Sequence, residues 1–264
     1  MIRALFLSLL LLSVGCEALT RDEAQQALDE VQLSSQASAL TASSVEISTH
    51  FTIGDAVEQA AEELRSFVQS QLPCAEIALD GATLTIEYGA NPGMCVYRGQ
   101  TYAGTHQISV MNNEMDDVVV NHTWTDFQNQ EVKVNGTATV TWSFADKERH
   151  VVHEATWERM SDGRTGTGSG DRIQKPLGGG LLEGFSVDGT HSWKGKSGNW
   201  HLDIDQVEMR WIDPVPQDGT YTLDTPFDKA VSVDFTRISA TQIQVVISGP
   251  KKSFDFKVNT LPEG

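Results

Sequence analysis

The chain has 264 residues and a net charge of −17, from 36 acidic against 19 basic residues. That length can bury a sizeable core, as one large domain or as two lobes. The charge excludes the basic footprint of a nucleic-acid binder and argues against broad attachment to anionic lipid, while saying nothing about fold.

Residues 1–15 have the three parts of a secretory signal peptide. Arg3 supplies a positive charge, Ala4 to Leu12 is apolar apart from Ser8, and Ser13-Val14-Gly15 are small. The apolar run falls far short of the roughly 20 residues that span a bilayer, and no later segment has such a run. Leu12-Ser13-Val14-Gly15-Cys16 then resembles the lipobox of bacterial lipoproteins, with Ser13 where that family usually carries leucine. The resemblance implies cleavage before Cys16, acylation of Cys16, export, and attachment of the chain to a membrane of the bacterial cell envelope. Glu17 rather than aspartate behind the cysteine implies the outer membrane. Each buried CH₂ contributes about 0.8 kcal/mol, so several acyl chains on one residue hold firmly where a single chain binds marginally. Ser13 and Gly15 also suit an ordinary secretory cut after Gly15, and that alternative stays open.

Residues 16–50 read as a tether, weakly helical or disordered. Thr20-Arg21-Asp22-Glu23 is a capping-box pattern, and Ala24, Ala27, Leu28 and Val31 follow at helical spacing. The run LSSQASALTASS after them is poor in large apolar side chains. Residues 51–73 hold a stronger amphipathic helix that should pack on a sheet. Asp55 is placed to cap its start, Val57, Ala60, Ala61, Leu64, Phe67, Val68 and Leu72 share one face, and Pro73 ends it.

From Cys74 to the end, β-branched and aromatic residues alternate with polar ones between Gly, Asn and Asp punctuation. The expected fold is mainly β: an antiparallel sheet over 74–264, as half-barrel, sandwich or large curved sheet, with one or two N-terminal helices. Asn135-Gly136, Asp188-Gly189 and Asp218-Gly219 read as recurrent hairpin turns, and VKVNGTATV at 132–140 matches FSVDGTHSW at 185–193. Their unequal spacing does not fit a solenoid or propeller. The glycine-rich run 162–180 reads as a flexible loop or hinge, which leaves two lobes divided near 161–181 as an alternative to one. The stretch from Thr83 to Trp142 is similar, through Tyr88-Gly89, Cys95, Arg98-Gly99 and Val134 to Val140, to a loose pattern of uncharacterised envelope lipoproteins that carries no known activity.

With Cys16 assigned to lipid, Cys74 and Cys95 remain, and an even remainder in an oxidising compartment suggests a disulfide. The segment between them reads as strand, Asp-Gly turn, strand and a Gly-Pro-rich return, which can bring its ends together. Closing a loop of about 20 residues contributes roughly 3 kcal/mol in the chain-entropy model. No second CxxC or nearby His pair completes a zinc site.

No catalytic motif stands out. His150 and His153 fall on opposite faces of a strand, and GTGSG at 166–170 lacks the Lys-Ser/Thr ending of a phosphate loop. His201, Asp203 and Asp205 share one strand face and are the weak candidates for a divalent cation or sugar hydroxyls, against the plainer reading of a solvated face. The six tryptophans, at 124, 142, 157, 193, 200 and 211, sit mostly in predicted strands, as core or as an aromatic platform. Asn121-His122-Thr123 and Asn135-Gly136-Thr137 match glycosylation sequons that a bacterial lipoprotein would not normally use. No cofactor is expected. The expected role is a non-catalytic binding or structural module of the cell envelope, presented on a membrane through acylated Cys16, with a lipid, a glycan or an envelope protein as ligand. The alternatives are a carrier or chaperone for lipophilic cargo and a hydrolase of envelope polymers.

Overall fold

A computed structural model of the chain describes residues 19–93, 95–97, 100–210 and 212–260. The signal segment, Cys16, Arg98-Gly99 and Trp211 lie outside them. Among the described residues, two helices precede fifteen strands. Helix α1 spans Arg21–Ile47 and α2 spans Val57–Gln71. The strands are β1 (Glu76–Asp80), β2 (Thr83–Tyr88), β3 (Val96–Tyr97), β4 (Gln100–Thr101), β5 (Ala103–Asn113), β6 (Asp117–Gln128), β7 (Val132–Ser143) and β8 (Glu148–Arg159). They continue as β9 (Thr165–Leu177), β10 (Gly180–Gly195), β11 (Gly198–Arg210), β12 (Asp218–Thr225), β13 (Lys229–Ser239), β14 (Gln242–Ser248) and β15 (Ser253–Asn259).

All strands but β3 and β4 join one 13-stranded sheet in the order β1-β2-β5-β6-β7-β8-β9-β10-β11-β12-β13-β14-β15. The strands of this sheet follow one another in chain order, with β3 and β4 set aside between β2 and β5, and every described register is antiparallel. The protein is therefore mainly β, with one sheet whose order has two ends rather than a closed barrel. β3 and β4 form a separate two-stranded ribbon. The chain divides into two compact units, Gln32–Ser169 and Met1–Val31 with Gly170–Gly264.

In the 32–169 unit the core is the alternate face of the strands: Leu84, Ile86, Ile108, Val110, Val120, Val134 and Val140 are buried. α2 packs against β1, β2 and β5 through Ala60, Ala61, Leu64 and Val68, the face its apolar spacing predicts. It begins at Val57 with Ala56 as its cap residue and no side-chain cap. Asp55 instead accepts a hydrogen bond from the Gln59 amide at 3.0 Å. The Cys74–Cys95 disulfide is formed, with Cα atoms 5.4 Å apart. In the other unit, Phe235, Ile243, Val245 and Ile247 from β13 and β14 pack with Val215, and Val187, Ile204 and Val207 from β10 and β11 form a second cluster.

Three expectations change. The segment read as a tether is one continuous helix from Arg21 to Ile47. The Thr20–Glu23 capping box starts it, with reciprocal backbone-to-side-chain bonds of 2.7 and 3.2 Å. Packing, not propensity, keeps its Ser-rich run helical, and the hydroxyls are satisfied by bonding back within the helix, Ser43 to Ala39 O, Ser44 to Thr41 O and Thr41 to Ala37 O. Leu33, Leu40, Val45 and Ile47 are buried. Second, the glycine-rich stretch is largely strand β9, where Gly166 lies under the Trp157 indole at a distance no Cβ could share.

Third, Asn135-Gly136, Asp188-Gly189 and Asp218-Gly219 are not hairpin turns, whereas Asp80-Gly81 does turn β1 into β2. Asn135-Gly136 lies within β7 and Asp188-Gly189 within β10, each opposite a bulge. Thr125 and Asp126 on β6 face Asn135 alone, and Asp205 and Gln206 on β11 face Asp188 alone. The Asn135 side chain accepts the N–H of Asp126 at 2.8 Å, and the Asp188 side chain accepts the N–H of Gln206 at 2.8 Å. Asp126 and Gln206 have φ of 46° and 47°. The match between 132–140 and 185–193 thus records one bulge-capping device used once in each unit. Asp218-Gly219, the third pair, opens β12, with the Gly219 N–H bonded to the Asp218 side chain at 2.8 Å.

Candidate functional site

The face shared by His201, Asp203 and Asp205 exists as predicted, on β11 with Leu202 and Ile204 turned the other way. The ladder places Ser192 of β10 directly opposite His201. Ser192 Oγ lies 2.7 Å from His201 Nδ1, and His201 Nε2 lies 3.2 Å from Asp203 Oδ1. With the carboxylate accepting from Nε2–H, Nδ1 is the acceptor for the serine hydroxyl. Asp205 forms no hydrogen bond or ion pair with either of the other two. His201 is thus committed to Ser192 and Asp203, and among the described residues no group of three or more His, Cys, Asp and Glu is arranged to hold a metal ion.

Serine, histidine and aspartate in line carry the roles of nucleophile, base and orienter. Acyl transfer also needs donors for the oxyanion. Ser192 sits inside β10, between β9 and β11, where backbone N–H groups are committed to the ladders. The imidazole and carboxylate side chains are 40% and 52% exposed, so water solvates the line.

A second constellation, which sequence spacing does not reveal, is buried in the 32–169 unit. Tyr88, His106, His122 and Ser48 form a chain: Tyr88 Oη to His106 Nδ1 3.5 Å, His106 Nε2 to His122 Nδ1 2.9 Å, His122 Nε2 to Ser48 Oγ 3.3 Å. Ser48 donates its own proton to the Val45 carbonyl at 2.6 Å. One direction then satisfies every member. His122 Nε2–H donates to Ser48, His106 Nε2–H donates to His122 Nδ1, and Tyr88 O–H donates to His106 Nδ1. Both imidazoles are neutral. Burial drives both downward, His122 to about 3 with Arg149 adding to the shift, and His106 well below its ordinary value with His122 adding. Burial raises the Tyr88 phenol. Beside the chain, Trp124 Nε1–H donates to Ser44 Oγ at 2.8 Å.

These bonds also hold α1. Its C-terminal half is fixed to β6 through Ser44 and Ser48, to β8 through the Glu46–Arg149 ion pair, and to Glu131 through the Gln36 amide at 3.0 Å. Its N-terminal half is fixed within the other unit. Lys229 pairs with Glu23 at 2.6 Å, Ser197 donates to Gln26 at 2.8 Å, and the Lys196 N–H donates to buried Glu30 at 2.9 Å.

Trp124, Trp157, Trp193 and Trp200 are buried, so they are core residues and not an exposed platform. His191, Trp193 and Trp200 stack in sequence with ring centroids 5.2 and 5.9 Å apart. The indole N–H groups of Trp193 and Trp200 are buried with no acceptor among the described residues. No helix of the described residues is long and apolar enough to cross a membrane. No family model matches the chain, and no curated protein or solved structure matches it.

Proposed function

We propose that the protein is an exported cell-envelope protein, held to a membrane, the outer one, by acylated Cys16, and that it acts there as a non-catalytic binding or structural module. The observation that carries the module reading is the way α1 is seated. Four buried apolar side chains and the bonds of Ser44, Ser48 and Glu46 bind it to the inner face of the 32–169 sheet, the surface that a cargo chamber in this unit would have to expose. Support for the anchor is the lipobox-like Leu12 to Cys16. Cys16 stands shortly before Arg21, the first residue of α1.

The second reading, a carrier of lipophilic cargo, is favoured by one feature: the two unpaired indole N–H groups, whose burial without acceptors costs about 1–3 kcal/mol each. An ester carbonyl of a lipid has the chemistry to accept from them. Native mass spectrometry of the full chain, released from mild detergent, separates the readings. The module reading predicts no stoichiometric non-covalent lipid, and one retained lipid per chain would overturn it in favour of the carrier. Fractionation tests the anchor, with wild type in the membrane pellet and Cys16→Ser released from it; wild type found soluble would contradict it.

A further inference from the structure

β15 is one end of the sheet order, and no described strand pairs with its outer edge. The strand, Ser253-Phe254-Asp255-Phe256-Lys257-Val258-Asn259, is exposed along most of its length, with Phe254 43% exposed. Its register on β14 sets Phe254 against Ile247, Phe256 against Val245 and Val258 against Ile243. At the two ends of that ladder, the Gly249 N–H donates to Lys252 O and the Thr260 N–H to Thr241 O, each at 2.9 Å. Hydrogen-bonded pairs alternate along an antiparallel ladder, so Phe254, Phe256 and Val258 direct their N–H and C=O groups to β14. The N–H and C=O groups of Ser253, Asp255, Lys257 and Asn259 therefore point out of the sheet at its free edge.

A free edge is a template for another strand, and a lysine on it ordinarily discourages pairing. Here Asp255 stands two residues before Lys257. An antiparallel copy of β15 centred on Phe256 sets Asp255 opposite Lys257 of the second copy, Lys257 opposite its Asp255, and Ser253 opposite its Asn259. These are the residues whose backbone groups face outward, so every such pair exchanges both of its hydrogen bonds. On the other face Phe254 meets Val258 of the second copy, and the two Phe256 side chains meet at the axis. That row continues the cluster of Phe235, Ile243, Val245 and Ile247, against which Phe256 and Val258 pack, and it covers exposed Phe254. A shift of two residues either way sets Asp255 against Asp255 or Lys257 against Lys257, where like charges repel. Both side chains are available. Among the described residues, Lys257 makes no hydrogen bond or ion pair, and Asp255 accepts one bond, from the Gln244 amide at 3.3 Å. The opposite end of the sheet is self-repelling. β1 paired with itself about Ala78 would set Glu76 against Asp80 of the second copy, carboxylate against carboxylate, at both ends.

We infer that the free edge of β15 is an isologous interface, at which two copies of the chain join through antiparallel β15 strands about a two-fold axis at Phe256. The inference goes beyond the module reading and stands whether or not Cys16 is acylated.

The test is sedimentation equilibrium of the full chain in density-matched mild detergent, over a range of protein concentrations. Wild type should pass from monomer to dimer and stop there. Lys257→Asp sets carboxylate against carboxylate in both charged pairs and should weaken the dimer roughly tenfold or more. Asp255→Lys with Lys257→Asp exchanges the charges, remakes both pairs, and should restore the dimer. Glu76→Lys, on the opposite edge of the sheet, should leave it unchanged. Unfolding midpoints of all variants show that the fold is intact. Wild type that stays monomeric, association unmoved by Lys257→Asp, or no recovery in the exchanged variant would each overturn the inference. Growth beyond the dimer, weakened by Glu76→Lys, would overturn it in favour of head-to-tail pairing of β15 with β1.

Discussion

His106 Nε2 lies 2.9 Å from His122 Nδ1, with both rings buried and the pair closed at its ends by Tyr88 and Ser48. The chain of donors runs one way only. A proton added to either imidazole sets two N–H donors face to face, or removes the acceptor that Tyr88 needs.

That arrangement fixes the sign of a pH dependence. Both histidines titrate lower in the fold than the ordinary value of 6.5. The unfolded chain therefore binds more protons below that value, and stability falls as pH drops from about 6.5 toward 3. The slope is about 1.4 kcal/mol per pH unit for each histidine that stays neutral in the fold. The other groups facing the pair are Tyr88, itself beside Tyr102, and, through its charge, Arg149, itself paired with Glu46. Urea unfolding between pH 4.5 and 6.5 should show this slope in wild type and lose most of it in His106→Gln with His122→Gln. An unchanged slope in the double variant would show that the pair is not the origin.

Ser44 and Trp124 tie α1 to the sheet in a second place. Ser44→Val removes the acceptor of a buried indole N–H and should cost about 1–3 kcal/mol in unfolding free energy. In native-state hydrogen exchange, amides 33–47 should share the protection of β6 and β7. Fast exchange confined to that half of α1 would mark it as a mobile lid and contradict its role as part of the core.

The two bulge caps give a paired prediction. Asp188→Ala loses the bond to the Gln206 N–H and should lower stability by about 1–2 kcal/mol. Gly189→Ala should cost more than about 2 kcal/mol, because φ there is 135° and a Cβ would overlap the Asp171 carbonyl. Asn135→Ala should resemble Asp188→Ala in size, since it removes the same bond in the other unit. Differential scanning calorimetry of the three variants checks the order.

Cys74 and Cys95 should resist alkylation until reductant is added. Reduction should cost about 3 kcal/mol, since the bridge closes a loop across a sequence separation of 21. Mass shifts with iodoacetamide, with and without reductant, report the first point and urea titration the second.

Much of the fold was legible in the chain. Strand β2 begins and ends where TLTIEY does, the α2 face follows its apolar spacing, and the Thr20–Glu23 box starts α1. What misled was local chemistry whose meaning depends on partners. Asn135-Gly136 has the composition of a tight turn, but β8 crosses so close to Gly136 that only glycine fits. The serines of α1 look like linker until their hydroxyls are seen bonding back along the helix and Ser44 and Ser48 meeting Trp124 and His122. The candidate site was legible in the same measure. The shared face of His201 and Asp203 follows from strand alternation, whereas Ser192 and the His106–His122 pair depend on the register between strands, which no local spacing encodes.

The proposed anchor at Cys16 would decide where all of this operates, and the N-terminal peptide of the membrane-extracted protein tests it most directly. Mass spectrometry should find a chain that begins at Cys16 and carries the added mass of acyl groups on that residue. A chain beginning at Cys16 without added mass, or one that retains residues 1–15, would contradict the account.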